Sequence, residues 1–343
     1  MIELEESLYQ INEMILRKAF ALNGTSPFQS PKALQARLMS LPHQDFACFL
    51  FHSHEQLIFS SFERMDDQLW RCFFLGDAFL INGSVDDLLL KECLQIILRR
   101  LEATSLYFPY IDQRTRSFSF FSQLENGLSV QRLPSPYILW EKNSQLFIDR
   151  IQKNSKRRAQ RFWNKFENRL QLQELSGKKA IRALDEIEQK SWKHASQQSM
   201  HFREKQFAFY SEWLRREGLF LHVAEENGNP VAYRLDAKLH HTVYALKYSY
   251  DDQYKQFSPG YYLLTQGLYS RWKNAPIKNI DLWGSPDTLK NSIKTGEYQR
   301  HDFLWPASPM GQKLLDERLT HDKNLSNHLN NNVGLKTIYK IHD

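Results

Sequence analysis

The sequence predicts an α+β (α/β) fold of mixed, mostly antiparallel sheets flanked by helices, laid out in two units along the chain. Three observations predict it. Residues 217–284 run strand, strand, strand, helix, strand. Residues 45–110 run strands, helix, strand in the same order with little residue identity, which suggests a degenerate duplication. The 343 residues exceed one ordinary core and suit two domains. Apolar residues make up 42% and charged residues 24%, a globular balance rather than a disordered one. Aromatics at 13% point to large cores or a cleft lined for stacking.

Residues 1–22 are expected to form one amphipathic helix, with Leu8, Ile11, Ile15 and Ala19 on a stripe. Ser30 and Pro31 open a second helix to about Leu41. Three Phe-, Ile- and Leu-rich runs, Asp45–Phe51, Gln56–Arg64 and Gln68–Leu75, read as strands. Ser84-Val85-Asp86-Asp87 caps a helix through Leu101, and Ser105–Tyr110 is a strand. Residues 112–140, with Pro134 and Pro136, read as an extended connector that can add a strand to a sheet.

Residues 144–170 carry an apolar stripe (Ile148, Ile151, Ala159, Phe162, Phe166, Leu170) among many cations, including Lys156 and Arg157. Such a basic helix either faces phosphates or is simply solvated. Helices are expected over 179–191 and 202–216, with Trp192-Lys193-His194 closing the first.

In the central stretch, Leu219–Ala224 and Pro230–Leu239 meet at Glu226-Asn227-Gly228-Asn229, residues that tolerate φ > 0. Thr242–Tyr250 follows after His240-His241. Ser258-Pro259-Gly260 then reads as a helix start, with Ser as cap and Pro in the first turn, where its missing N–H costs nothing. Such a start gathers N–H groups and the positive end of a dipole, so it suits an anion; the plain alternative is a strand-to-helix turn. Lys278–Trp283 closes the stretch, ending at Gly284. A short helix over 285–295 is expected to be capped by Ser285, and Tyr298–Trp305 is a last strand. Residues 311–343, polar and rich in Asn, are expected to be a loosely attached tail. Domains are therefore expected at 1–140, 141–310 and 311–343.

This order resembles the core of the GNAT N-acyltransferase fold, and more closely its cellulose-biosynthesis (CelD/BcsL-type) acetyltransferase branch, related to the Fem-type aminoacyl transferases. The residues that carry the resemblance are Ser155-Lys156-Arg157-Arg158, Ser191-Trp192-Lys193, Tyr248-Ser249-Tyr250-Asp251, Ser258-Pro259-Gly260 with Leu263 and Leu264, Asp281, and Gly284 followed by Lys290. They cover about residues 140–305. The resemblance implies tandem GNAT-like domains with the N-terminal unit degenerate, in a bacterial, cytoplasmic enzyme. It implies transfer of an acyl group from acyl-CoA as co-substrate, or from a similar activated carrier, to a small-molecule amine or amino-sugar acceptor.

The resemblance implies direct attack of an amine on a donor carbonyl held beside a splayed strand pair, where backbone N–H groups can stabilise the developing oxyanion and a base takes the amine proton. The splay is expected near Leu246–Tyr250, centred on Lys247-Tyr248-Ser249. Asp281, Tyr248, Tyr250 and Asp251 are the candidate catalytic residues; Asp281 could equally be a strand carboxylate that holds a neighbouring loop. Ser258, Pro259, Gly260, Tyr261, Lys156, Arg157 and Lys290 are candidates for holding the donor. Trp192, Lys193 and Trp283 are candidates for the acceptor cleft. Acetyl-CoA members of the fold carry Q/R-x-x-G-x-G/A, whereas this loop has a single Gly. That departure keeps two rivals open: a Fem-type enzyme using aminoacyl-tRNA, with tRNA as partner, and a non-catalytic binding protein on a decayed GNAT scaffold.

The net charge of +6 favours anionic partners and leaves room for peripheral membrane contact. No DNA partner is expected, and no signal peptide or membrane-spanning run is read. Cys48, Cys72 and Cys93 lack metal or disulfide spacing and read as inert buried thiols. His52, His54, His240 and His241 sit at turns without further ligands, so no metal is expected.

Overall fold

The computed structural model describes residues 3–8, 24–53, 55–140, 169–203 and 205–333, with the single residues 18, 22, 147 and 149. The chain divides into two compact units. Met1–Leu34, Leu41–Pro134 and Tyr298–Asp343 form one; Gln35–Ser40 and Ser135–Glu297 form the other.

The chain opens with β1 (Glu3–Leu8) and α1 (Pro31–Ser40). It continues through β2 (Phe46–Ser53), β3 (Gln56–Arg64), β4 (Leu69–Cys72) and β5 (Leu80–Asn82). Then come α2 (Asp87–Arg100), β6 (Ser105–Asp112), α3 (Arg116–Phe121) and β7 (Leu128–Gln131). The Asp86 carboxylate accepts from the Leu89 N–H at 2.7 Å and so caps α2.

Next are β8 (Ser135–Leu139), β9 (Leu170–Leu175), α4 (Gly177–Lys190), α5 (Trp192–Ala195) and α6 (Gln206–Arg215). The antiparallel strands β10 (Phe220–Glu226), β11 (Asn229–Leu239) and β12 (Thr242–Tyr250) follow. A helical run comes after them: α7 (Pro259–Tyr262), a π turn (Leu263–Gly267) and α8 (Leu268–Trp272). The chain ends its described course with β13 (Asn279–Asp281), α9 (Thr288–Ile293), β14 (Gly296–Tyr298), β15 (Arg300–Trp305) and α10 (Pro309–Val333).

One sheet runs β1-β2-β3-β4-β6-β15-β7, with β5 paired to β3; the other runs β14-β8-β13-β12-β11-β10-β9. In each, three antiparallel strands are followed by a helix and then by a strand parallel to the third: β6 beside β4, and β13 beside β12. The strand order of residues 45–110 therefore repeats that of 219–284. Asn227 and Gly228, both at positive φ, make the expected two-residue turn between β10 and β11.

Several expectations are corrected. Residues 3–8 form a strand, not the start of a helix, because Glu3–Leu8 pairs with Ala47–His52 along the edge of a sheet. Most of the expected 144–170 helix, Lys156 and Arg157 included, lies outside the described residues, but its last residue, Leu170, begins a strand. The connector contributes α3, β7 and β8. Each sheet is also completed by a strand from the other half of the chain. β15, from the C-terminal end, lies between β6 and β7, while β8 lies between β14 and β13. Boundaries at residues 140 and 310 thus do not separate the sheets.

The tail is not loosely attached over its described length. α10 buries Leu315 and Asp322, and the Asp322 carboxylate takes two hydrogen bonds from the buried Arg132 guanidinium, at 2.7 and 3.0 Å.

The first unit has an aromatic core, in which Phe62 meets Phe108 edge-on at 5.9 Å and Phe108 meets Phe121 at 4.3 Å. All three cysteines are buried and free. In the second unit, Leu263, Leu264, Leu268 and Trp272 bury the helical run against Ala232, Val243 and Ile280 of the sheet.

Candidate functional site

The site is built on β12. Its pairing with β11 runs its whole length, from Thr242 opposite Leu239 to Tyr250 opposite Ala232. The register slips by one between Leu235 and Asp236, which leaves Leu246 as the extra residue of a bulge. On its other side β12 pairs with β13 only through Thr242, Tyr244 and the residue between them. β13 ends at Asp281, opposite Tyr244, and no strand among the described residues pairs that edge of Ala245–Tyr250.

Side chains from other elements meet this freed stretch. The Lys193 ammonium, on α5, donates to the Tyr248 carbonyl at 2.5 Å. The Tyr248 hydroxyl donates to Asp287 Oδ2 at 2.5 Å, while Asp287 Oδ1 accepts from the Lys290 N–H. Asp287, not Ser285, is therefore the cap of α9.

The tyrosine face of β12 packs on the start of α7. A Cβ placed on Gly260 would stand 3.5 Å from the Tyr248 ring and 3.6 Å from the Tyr250 ring. Ser258 enters α7 at φ 52°, and its side chain makes no cap hydrogen bond, contrary to expectation. Its carbonyl closes the first turn by accepting from the Tyr261 and Tyr262 N–H groups at 3.0 and 3.3 Å. One turn later the helix widens into its π turn, where the Leu263 carbonyl accepts from the buried Arg234. Arg234 is forked onto Asp236, which also accepts from the Trp272 indole N–H at 3.1 Å. Burial alone would raise the Asp236 pKa, but Arg234 and His222 hold it well below the usual carboxylate range. This network anchors the helix on the sheet.

The remaining candidates serve the loop after β13. Asp281 Oδ1 accepts from the Trp283 N–H at 2.8 Å. Lys290 is buried, and its ammonium donates to the Trp283 and Ser285 carbonyls at 2.6 and 3.1 Å. Gly284 stands at φ 74°, and its carbonyl accepts from the Ser135 hydroxyl. Trp283 meets Tyr244 edge-on at 5.9 Å. Asp251 caps the turn Asp252–Phe257 through the Gln253 N–H. Trp192, at the start of α5, is 40% exposed. The structure thus brings Tyr248, Tyr250, Gly260 and Lys193 together, and gives Asp281, Asp251 and Lys290 hydrogen-bonding work in their own loops.

Burial raises the pKa of both Tyr248 and Tyr250, and Asp287 and Asp252 respectively add to it. Both phenols stay protonated near neutrality, which suits them to give a proton rather than to take one.

The opposite face of β12 holds a feature that the sequence reading passed over. The half-buried Lys247 donates to Gln206 Oε1 at 3.1 Å, and its pKa is pushed down to about 7 by burial, with Arg203 and Lys193 adding to the effect. It opens on a cavity of about 110 Å³ lined in part by Glu188, Lys193, Arg203 and Tyr233. Glu188 accepts from the Tyr233 hydroxyl at 2.6 Å and from the Met200 N–H at 2.8 Å. Two signals for this pocket were present in the sequence: a lysine interrupting an apolar strand, and a glutamate in register with the buried Ala180 and Leu184 of α4.

The fold is that of tandem GNAT proteins, and residues 153–291 match the family model described as an acetyltransferase (GNAT) domain. Many solved structures resemble the chain, among them the following three. A conserved protein of unknown function from Bacteroides thetaiotaomicron VPI-5482 is 13% identical with a TM-score of 0.62, over 89% of this chain and 99% of that one. FemX is 9% identical with a TM-score of 0.56, over 91% and 99%. A tandem GNAT protein from the clavulanic acid biosynthesis pathway is 9% identical with a TM-score of 0.50, over 88% and 98%. No curated protein matches the sequence. Among the described residues, no helix is long and apolar enough to cross a membrane, and no cluster of His, Cys, Asp and Glu could hold a metal ion.

Proposed function

We propose that the second unit is an N-acyltransferase moving an acyl group from acyl-CoA to an amine. The observation that carries this reading is the end of the β12–β13 ladder at Tyr244, which leaves that edge of Ala245–Tyr250 without a partner strand among the described residues, with Tyr248 and Tyr250 packed on the helix start at Gly260. An edge without a partner strand leaves main-chain groups unpaired by any ladder, and such groups can receive a donor carbonyl and its developing oxyanion. The match to a GNAT acetyltransferase domain over residues 153–291 supports it.

The chemistry is a direct displacement. The amine nitrogen forms a bond to the thioester carbonyl carbon, the C–S bond breaks, and the thiolate leaves. Neutral Lys247, with its pKa near 7, takes the proton shed by the amine. Tyr250, protonated and packed beside Gly260, returns a proton to the thiolate. Ser258–Tyr261 form the foot of the donor site, and Lys193 fixes the strand at Tyr248.

A second reading is a Fem-type transferase that takes its group from aminoacyl-tRNA. The single Gly in the loop and the likeness to FemX favour it. Thermal melting separates the readings, because a ligand of the folded state raises the midpoint. Acetyl-CoA is expected to raise it, and thiol release from acetyl-CoA is expected to depend on an added amine. A shift with aminoacyl-tRNA alone establishes the Fem-type reading instead. If neither donor shifts the midpoint, the unit is a binding protein on a GNAT scaffold.

A further inference from the structure

We infer that the acceptor carries an anionic group beside its amine, and that the cavity on the Lys247 face of β12 binds that group. The inference rests on the transferase reading, since it assigns a substrate class to the same site.

Lys193, Arg203 and Lys247 all line this cavity, and Glu188 is the one carboxylate among its lining residues. Both oxygens of Glu188 are already engaged, by the Tyr233 hydroxyl and the Met200 N–H. The partners of the two lysines are neutral: the Tyr248 carbonyl for Lys193 and the Gln206 amide for Lys247. Among the described residues, no carboxylate lies within ion-pairing distance of Lys193, Arg203 or Lys247. Lys290 adds its positive charge to the field at both lysines, and Asp287 offsets part of it at Lys193.

With Lys247 protonated, three cations face one carboxylate; with Lys247 neutral, two do. Among the described lining residues, cations outnumber carboxylates in either state. Like charges gathered where water is scarce repel, and an entering anion relieves them. A polyamine or a basic peptide would add to the repulsion. The cavity, about 110 Å³, has room for one carboxylate or phosphate group.

Binding is measured without any acyl donor, by calorimetry and melting, on wild type and on Arg203→Gln, a change at an exposed position. The probes are glutamate, glucosamine 6-phosphate, inorganic phosphate and spermidine. At least one of the anions is expected to bind wild type and to bind Arg203→Gln about tenfold more weakly, the loss of one charge-assisted contact. Glutamate alone would identify a carboxylate acceptor, and glucosamine 6-phosphate a phosphate one. Tighter binding of spermidine than of the anions, equal anion binding by the variant, or no anion binding overturns the inference. Thiol release from acetyl-CoA driven only by neutral or cationic amines overturns it while leaving the transferase reading intact. Anion binding as expected, with no acyl transfer to any amine, leaves the cavity's chemistry standing and removes the transferase.

Discussion

Replacing Lys247 by Met tests the electrostatics of the site through stability rather than turnover. In the folded chain this ammonium is held at a pKa of about 7 instead of the ordinary 10.5. Fully shielded from water, a depression of that size corresponds to about 5 kcal/mol against the folded state. The side chain is only half-buried, and solvent screening reduces the figure to about 2 kcal/mol. The sign follows from proton counting. Above the unfolded-state pKa both states are neutral, and lysine and methionine differ little. As the pH falls toward 7 the unfolded chain gains a proton that the folded chain refuses, so wild type loses stability relative to the variant. Below about 7 the folded chain is protonated too, and the difference stays at its maximum. Lys247→Met is therefore expected to melt about 5 °C above wild type at slightly acid pH, with the advantage shrinking as the pH rises through the ordinary lysine range and gone only above it. Its acyl-transfer activity should fall. Chemical denaturation across that pH range measures the difference. A variant less stable than wild type at every pH, or one whose advantage ignores pH, would refute the account of a repelled, partly dry ammonium.

Two further outcomes are expected. Asp322→Asn removes one of the two carboxylates that hold the buried Arg132, and should cost about 3 kcal/mol in urea denaturation; a loss under about 1 kcal/mol would mean that α10 is not anchored through this pair. Asp281→Asn keeps an oxygen for the Trp283 N–H and should keep full turnover; a drop of about tenfold or more in kcat, with melting unchanged, would return Asp281 to the list of bases.

Much of the scaffold was legible in the sequence because it depends on near neighbours. Asn227 and Gly228 accept positive φ, so the β10–β11 turn is written in two residues. The alternation in Thr242–Tyr250 gave a strand with its observed ends. Asp86 announced the start of α2. The failures have a common cause. Glu3–Leu8 has apolar residues that fit a helical stripe, yet its backbone hydrogen bonds go to Ala47–His52, some forty residues away. Likewise nothing local tells β8 and β15 that each belongs beside a strand from the other half of the chain. For Asp281 the sequence offered two readings, a base or a strand carboxylate that holds a neighbouring loop, and its hydrogen bond from the Trp283 N–H is the contact the second one expects.

The sequence by itself determined most of the units of structure in residues 45–110 and 217–284, and that strand, strand, strand, helix, strand occurs twice. It also placed the expected opening between the third and closing strands at Lys247-Tyr248-Ser249, on the stretch of β12 that β13 does not pair. Only the tertiary structure decided which strands lie side by side, and which charges share a cavity. Glu188, Arg203 and Lys247 come from separate segments, and their meaning is the sum of their fields. Coulombic interaction depends on distance through space, which the spacing of residues along the chain does not record.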